Sequence, residues 1–201
     1  MSLSATQVAR DLIAIPSVSS MSNAEVSQYA HDVLLREGFE VERLSYDDHG
    51  LEKVSLVARK GAGQGGIGFF SHSDTVPGDV GWAPFDPAIA NGRLYGRGSC
   101  DMKGPLAATM AAAANIDARA LKRPVYVVVT ADEEVGYGGA YQVAAESKLF
   151  AQGWPEYGVV AEPTRLRPVY SHKGGALVTA HALGAAAHSS TEKGVSANFK
   201  I

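Results

Sequence analysis

The sequence predicts an α/β fold in which helices cover both faces of a sheet. Two observations carry this prediction. Segments with helical periodicity alternate along the chain with short runs rich in β-branched and aromatic residues, as in folds built from strand and helix units. One such run, PVYVVVTA from Pro124, is apolar at nearly every position, which is typical of a strand that is buried on both faces.

Four helices are predicted. A capping box that begins at Ser4 starts the first helix, and Pro16 ends it. The second helix carries apolar residues at positions i, i+3, i+4, i+7 and i+8, and Gly38 is its natural stop. An alanine-rich run over residues 106–116 predicts a buried helix, and a further helix is predicted over residues 140–147.

Five strand candidates lie between and around these helices: FEVERL from Phe39, VSLVAR from Val54, IGFF from Ile67, PVYVVVTA from Pro124 and GVVAEP from Gly158. The segment GAGQGG, from Gly61, satisfies the G-x-G-x-x-G pattern of dinucleotide-binding loops. It lies between two strand candidates and opens no helix, so it lacks the context that this motif requires. We expect a flexible hairpin turn there instead.

Composition limits the range of functions. The 201 residues suffice for one domain, or for one domain and part of a second. A net charge of -3 argues against nucleic acid or an anionic membrane as the main partner. The single cysteine, Cys100, excludes an internal disulfide framework, and we expect it to serve in packing. The first residues lack the features of a signal peptide, and no apolar run approaches the ~20 residues of a membrane span, so a cytoplasmic protein is expected.

Candidate site residues follow three of the strands. His72 and Asp74 follow IGFF, Glu133 and Glu134 follow PVYVVVTA, and Glu162 follows GVVA. In α/β sheets, functional sites gather at the C-terminal ends of strands, so these side chains are expected at one edge. His72 and Asp74 are two residues apart and point to the same side of an extended chain, so that Asp74 can orient the imidazole for metal binding.

Each of these motifs also has a simpler interpretation. His72 and Asp74 could be ordinary residues of a surface loop. Asp101, in the glycine-flanked segment GRGSCDMKG, could cap the helix that follows it rather than bridge two metal ions. The acids from Asp132 to Glu134 could simply favour a helix N-terminus. A divalent cation accounts better for three acids at the end of a buried strand, with one glutamate as ligand and its neighbour as proton acceptor.

Four motifs together resemble one family of enzymes. The motifs SHSDTVP, GRGSCDMKG, TADEEVG and VAEPT occur in the order seen in the M20 metallopeptidases, the family of acetylornithine deacetylase, succinyl-diaminopimelate desuccinylase and carboxypeptidase G2. The resemblance implies a zinc-peptidase-like catalytic domain with a mixed sheet over residues 1–172. It also implies that residues 173–201 begin an α+β lid, or dimerisation, domain.

The resemblance assigns a role to each site residue. His72 and Glu162 would bind one zinc ion, Glu134 would bind a second, and Asp101 would bridge the two. Glu133 would be the general acid and base. Zinc is the expected cofactor, two ions per full-length site, with cobalt or manganese as alternatives.

Outside the metal cluster, Asp74 would orient His72, and His188 would match a lid histidine that helps to hold the substrate carbonyl oxygen across a dimer interface. Members of this family are longer than the present sequence, which resembles their N-terminal part only. The last histidine ligand of the second ion is therefore expected to be absent, and a homodimer through the lid is expected for the full-length form.

The function that this resemblance implies is hydrolysis of an amide bond in an N-acylated amino acid or small peptide, by metal-activated water. Dipeptidase or carboxypeptidase activity is the alternative within the family. A short form that only binds ligands, without catalysis, is the alternative outside enzyme function.

Overall fold

The computed structural model describes residues 2–171, 173–174, 178–188, 190–191 and 193–199. The chain divides into two compact units, Met1–Leu166 and Arg167–Ile201. In the second unit, Ala185 and Val195 form an isolated antiparallel bridge, and a 3-10 turn covers Ala197–Phe199. The predicted boundary between a catalytic and a lid domain, at residues 172 and 173, stays a prediction.

The first unit contains five α-helices and seven strands among its described residues. The helices are α1 (Ala5–Ala14), α2 (Ala24–Arg36), α3 (Lys103–Ala114), α4 (Gly138–Glu146) and α5 (Lys148–Ala151). The strands are β1 (Glu40–Asp48), β2 (Leu51–Lys60), β3 (Ile67–His72), β4 (Ala88–Ala90), β5 (Arg93–Tyr95), β6 (Val125–Thr130) and β7 (Tyr157–Val160). No helix within the described ranges is long and apolar enough to cross a membrane.

The main sheet is mixed, as predicted, with strand order β1-β2-β6-β3-β7. β1 pairs antiparallel with β2, and β2 pairs antiparallel with β6. β3 runs parallel to both of its neighbours, β6 and β7. The three strands that precede the candidate site residues therefore all end at the same edge of the sheet.

Helices cover both faces of this sheet, and the alternation of side chains along its strands explains why. Val125, Val127 and Val129 of β6 join the buried cluster formed with α1, α2 and α3. Tyr126 and Val128 point to the opposite face, where they pack with residues of α4 and α5. Strand β6 therefore needs apolar residues at successive positions, which explains the unbroken apolar run in the sequence.

Local sequence signals account for both ends of α1. The Ser4 hydroxyl accepts a hydrogen bond from the Gln7 main-chain N–H at 3.4 Å and so starts α1. The Gln7 side chain donates to Asp11 rather than returning to Ser4, so only half of the predicted capping box forms. The chain leaves the helical conformation at Ile15, just before Pro16.

The predicted hairpin at GAGQGG is wrong. β6 lies between β2 and β3, so the loop that joins these two strands crosses the start of β6. Gly66 has a positive φ of 86°, and a Cβ added there would overlap the carbonyl oxygen of Pro124, the residue just before β6. Gly66 therefore permits a close crossing of two main-chain segments. The β4–β5 hairpin and the short helix α5 were not predicted at all.

Candidate metal centre

Three segments bring acidic side chains to Nε2 of His72. This histidine is the last residue of β3 and its side chain is 2% exposed. Its Nε2 atom lies 3.3 Å from Oδ1 of Asp101, 3.8 Å from Oε2 of Glu133 and 3.7 Å from Oε1 of Glu162. Glu133 comes from the turn after β6, Glu162 from the segment after β7, and Asp101 from the loop before α3.

The predicted strand-end residues thus meet at one edge of the sheet. His72, Asp101 and Glu134 each offer one ligand atom, and these atoms all lie within 4.8 Å of one another. One imidazole nitrogen and several carboxylate oxygens form the donor set that zinc and similar divalent ions accept. The residues therefore fit a divalent metal. Which carboxylate binds which ion stays a prediction.

Asp74 is buried behind His72 and connects it to the acids. Its carbonyl oxygen lies 2.8 Å from Nδ1 of His72, and its Oδ1 atom lies 3.5 Å from the same nitrogen. Its carboxylate accepts hydrogen bonds from the main-chain N–H groups of Glu133 at 3.1 Å and Glu134 at 3.3 Å, and from the Ser19 hydroxyl at 2.8 Å. Asp74 therefore fixes the imidazole ring and the turn that carries both glutamates.

The charges of this group shift its protonation equilibria. Burial disfavours the imidazolium, but the hydrogen bonds and charge of Asp74, together with Glu133, outweigh it and raise the pKa of His72 to about 9. Burial and the surrounding carboxylates raise the pKa of Glu134 and of Glu162, against the opposing effect of His72. The clustered carboxylates repel one another, so the site favours a cation.

Comparison with known proteins agrees with this geometry. The sequence profile of the Peptidase family M20/M25/M40 matches residues 68–171, which is just over half of the chain. The chain belongs to this family.

Relatives and solved structures give the extent of the similarity. The chain is 41% identical over 196 residues to an acetylornithine deacetylase of Myxococcus xanthus, and 36% identical over 198 residues to one of Photorhabdus laumondii. Each match covers 94% of this chain and 50% of the relative, so the chain spans about half the length of these curated M20-family relatives. An M20 family metallo-carboxypeptidase from Sulfolobus solfataricus has the same fold, with a TM-score of 0.63 at 21% identity over 78% of this chain and 37% of that one.

Asp132, the first of the three adjacent acids, does not face the metal cluster of the M20 site. Its Oδ1 atom lies 2.7 Å from Nζ of Lys53, and its Oδ2 atom accepts a hydrogen bond from the hydroxyl of Tyr46 at 2.7 Å. Burial and this carboxylate raise the pKa of Tyr46, which keeps the hydroxyl protonated as a donor. This ion pair was not predicted from the sequence, because 79 residues separate its two partners.

Three of the simpler interpretations are wrong in this M20-family chain. Met102, not Asp101, is the N-cap residue of α3, and no side-chain bond caps that end. The acids lie in a single 3-10 turn, Glu133–Val135, and not at the N-terminus of the predicted helix α4, whose N-cap is Tyr137 and which begins only at Gly138. His72 and Asp74 are buried, at 2% and 1% exposure, rather than part of a surface loop.

The expected packing role of Cys100 is also wrong, because this cysteine is exposed. His188 lies in the second unit, where its side chain is exposed and its Nδ1 atom lies 2.7 Å from the Ser190 hydroxyl. Its role at the substrate stays a prediction.

Proposed function

We propose that this chain carries the metal-binding half of an enzyme that hydrolyses the amide bond of an N-acylated amino acid. The convergence of carboxylates from three segments on Nε2 of the buried His72 is the observation that carries the proposal. The identity of 36% to 41% with acetylornithine deacetylases favours N-deacylation over dipeptide or C-terminal peptide cleavage.

In this proposal His72 and Glu162 would hold one ion, Glu134 would hold a second, and Asp101 would be a ligand of both. A bound divalent ion supplies a water of lowered pKa and polarises the carbonyl group of the substrate. Zinc suits this donor set, with cobalt and manganese as alternatives. Asp74 keeps the ring of His72 oriented through its 2.8 Å contact with Nδ1, so that Nε2 faces the acids.

Glu133 is the proposed general acid and base. Its side chain is 33% exposed, so substrate and water can reach it, while its main-chain N–H is held by the buried Asp74. The carboxylate takes a proton from the attacking water and returns it to the nitrogen of the leaving amine. In this assignment Glu133 transfers the proton and its neighbour Glu134 is a metal ligand.

The remaining expectations are part of the same proposal. His188 would hold the carbonyl oxygen of the substrate across the interface of a homodimer formed through the second unit. The substrate would be a small amide or peptide, and neither nucleic acid nor a membrane would be a partner, in keeping with the net charge of -3. A cytoplasmic location belongs to the same proposal.

Metal analysis combined with an amidase assay tests the proposal. Metal-free chain is reloaded with zinc or cobalt, its metal content is measured, and the release of free amine is followed with N-acetylornithine, other N-acetylated amino acids and dipeptides. Metal-dependent release from the N-acetylated compounds supports the proposal, and preferential release from dipeptides supports the peptidase alternative. A chain that binds metal but hydrolyses none of these compounds would be a binding protein, and a chain that binds no metal would overturn the assignment of the site.

A further inference from the structure

Two buried lysines lie on β2, one near each end of the strand. Lys60 is 7% exposed and donates a hydrogen bond to the carbonyl oxygen of Ala114 at 2.7 Å, where it stabilises the end of α3. Lys53 is 1% exposed and lies seven residues earlier, ~23 Å away along an extended strand. A buried ammonium group is costly unless it is paired, so the partners of Lys53 indicate its use.

Lys53 contacts two segments that border the metal cluster. Its Nζ atom lies 2.7 Å from Oδ1 of Asp132 and 2.6 Å from the carbonyl oxygen of Ser19. The second oxygen of Asp132 accepts the hydrogen bond from Tyr46. Both carboxylate oxygens of Asp132 are therefore bound, and the residue that follows it is Glu133.

The main chain at Asp132 needs this support. Asp132 has a φ of 56°, in the left-handed region that non-glycine residues rarely occupy. Its carbonyl oxygen accepts a hydrogen bond from the N–H of Tyr137 at 2.7 Å, which closes the turn around the two glutamates. The ion pair with Lys53 holds the carboxylate inward and so keeps this unusual conformation in place.

A second path leads from Lys53 to the same turn. Ser19, whose carbonyl oxygen binds Lys53, donates its hydroxyl to the carboxylate of Asp74. Asp74 in turn binds the main-chain N–H groups of Glu133 and Glu134. Two paths of hydrogen bonds therefore connect Lys53 to the turn, one directly through Asp132 and one through Ser19 and Asp74.

We propose that Lys53 is a positioning residue, whose buried ion pair with Asp132 sets the direction of the Glu133 and Glu134 carboxylates toward His72. The proposal rests on the proposed metal site. Without the ammonium group, the buried carboxylate of Asp132 has no counter-ion, and it lies near several other carboxylates. It then turns toward solvent, the turn relaxes, and the spacing of the metal ligands changes.

The test compares Lys53→Met with Lys60→Met as a matched control. Both variants remove a buried ammonium group from the same strand, but only Lys53 is linked to the turn that carries the glutamates. Cobalt affinity is measured by titration, the geometry of the site by the visible absorption spectrum of the cobalt-loaded chain, and stability by thermal melting of the metal-free chain.

Lys53→Met is expected to lower cobalt affinity by about 10- to 100-fold, as loss of a supporting residue behind metal ligands does, and to change the cobalt spectrum. Lys60→Met is expected to melt at a lower temperature with wild-type affinity and spectrum. Tyr46→Phe removes only one hydroxyl from Asp132 and is expected to weaken cobalt binding by roughly two- to tenfold. Should the Lys53→Met chain not fold, the cobalt affinity and spectrum of Tyr46→Phe alone test the proposal.

The outcomes separate this inference from the proposed function. If the wild-type chain binds no cobalt, the proposed metal site fails. If the wild-type chain binds cobalt and both Lys53→Met and Tyr46→Phe bind it equally well with the same spectrum, the metal site stands and the positioning role of Lys53 is overturned. Equal loss of affinity in Lys53→Met and Lys60→Met would also overturn it, because the effect would then follow stability alone.

Discussion

Metal binding at His72 is expected to depend steeply on pH. The imidazole must be neutral to bind a metal ion, yet Asp74 and Glu133 outweigh the effect of burial and raise its pKa to about 9. At about pH 7 the ring of the metal-free chain therefore carries a proton that binding must displace. Two pH units below the pKa, this displacement costs about 2.7 kcal/mol, or about a 100-fold loss of affinity.

The raised pKa of His72 decides in which direction metal affinity changes with pH. Since the metal-bound state has lost the proton, metal affinity rises with pH. The rise is about tenfold per pH unit between about pH 6 and about pH 8, and the affinity levels off at about pH 9. Calorimetric titration with cobalt in two buffers of different ionisation enthalpy also counts the released protons, and about one is expected from His72 for each ion that binds to it.

Two variants serve as controls for the pH dependence. His49→Gln removes a histidine whose side chain is 97% exposed, and it should leave the slope unchanged. Asp74→Asn removes the carboxylate that favours the imidazolium, so the levelling-off should move to lower pH. An affinity that stays constant between about pH 6 and about pH 8, with no proton released, would refute this account of His72.

Three further outcomes are expected. Glu133→Gln should keep its metal and lose turnover by about 100-fold or more, whereas Glu134→Gln should weaken metal binding; metal analysis and amide hydrolysis would expose a reversed assignment. Gly66→Ala should lower the free energy of unfolding by more than about 2 kcal/mol, because a Cβ there overlaps the carbonyl oxygen of Pro124. Gly63→Ala, with a similar φ and no atom within 4 Å of an added Cβ, should cost only about 1–2 kcal/mol in the same denaturant titration, and equal losses would contradict the steric argument. Removal of metal by a chelator should lower the melting temperature, since an ion present at about 100 times its Kd stabilises the folded chain by ~2.7 kcal/mol; an unchanged melt would argue against a bound ion.

The convergence of the site residues could be predicted because it depends on strand direction. β3, β6 and β7 are parallel, so residues that follow their C-terminal ends meet at one edge whatever the order of the strands. His72, Glu133 and Glu162 needed only this rule. Asp101 needed the glycine-flanked motif as well, since it lies in a loop and not at the end of a strand.

The features that could not be predicted depend on contacts between residues far apart in the sequence, or on elements too short to show a pattern. Lys53 and Asp132 form a buried pair across 79 residues, and neither lies in a recognisable motif with the other. The strands β4 and β5 contain only three residues each, too few for an alternating pattern to stand out. The sheet order was misjudged at Gly61 because neighbours in sequence are usually, but not always, neighbours in a sheet.

The position of β6 between β2 and β3 bears on how the chain reaches this structure. Only residues 61–66 join β2 to β3, so a direct antiparallel hairpin between them is the pairing that closes with the shortest loop. β6 follows in the sequence only after residues 73–124, and in the sheet it lies between two strands that could also pair directly with each other. A premature β2–β3 hairpin would keep His72 apart from the turn that carries Glu133. The histidine and carboxylate cluster can therefore form only once β6 lies between β2 and β3, and its formation reports that the central strand has entered the sheet.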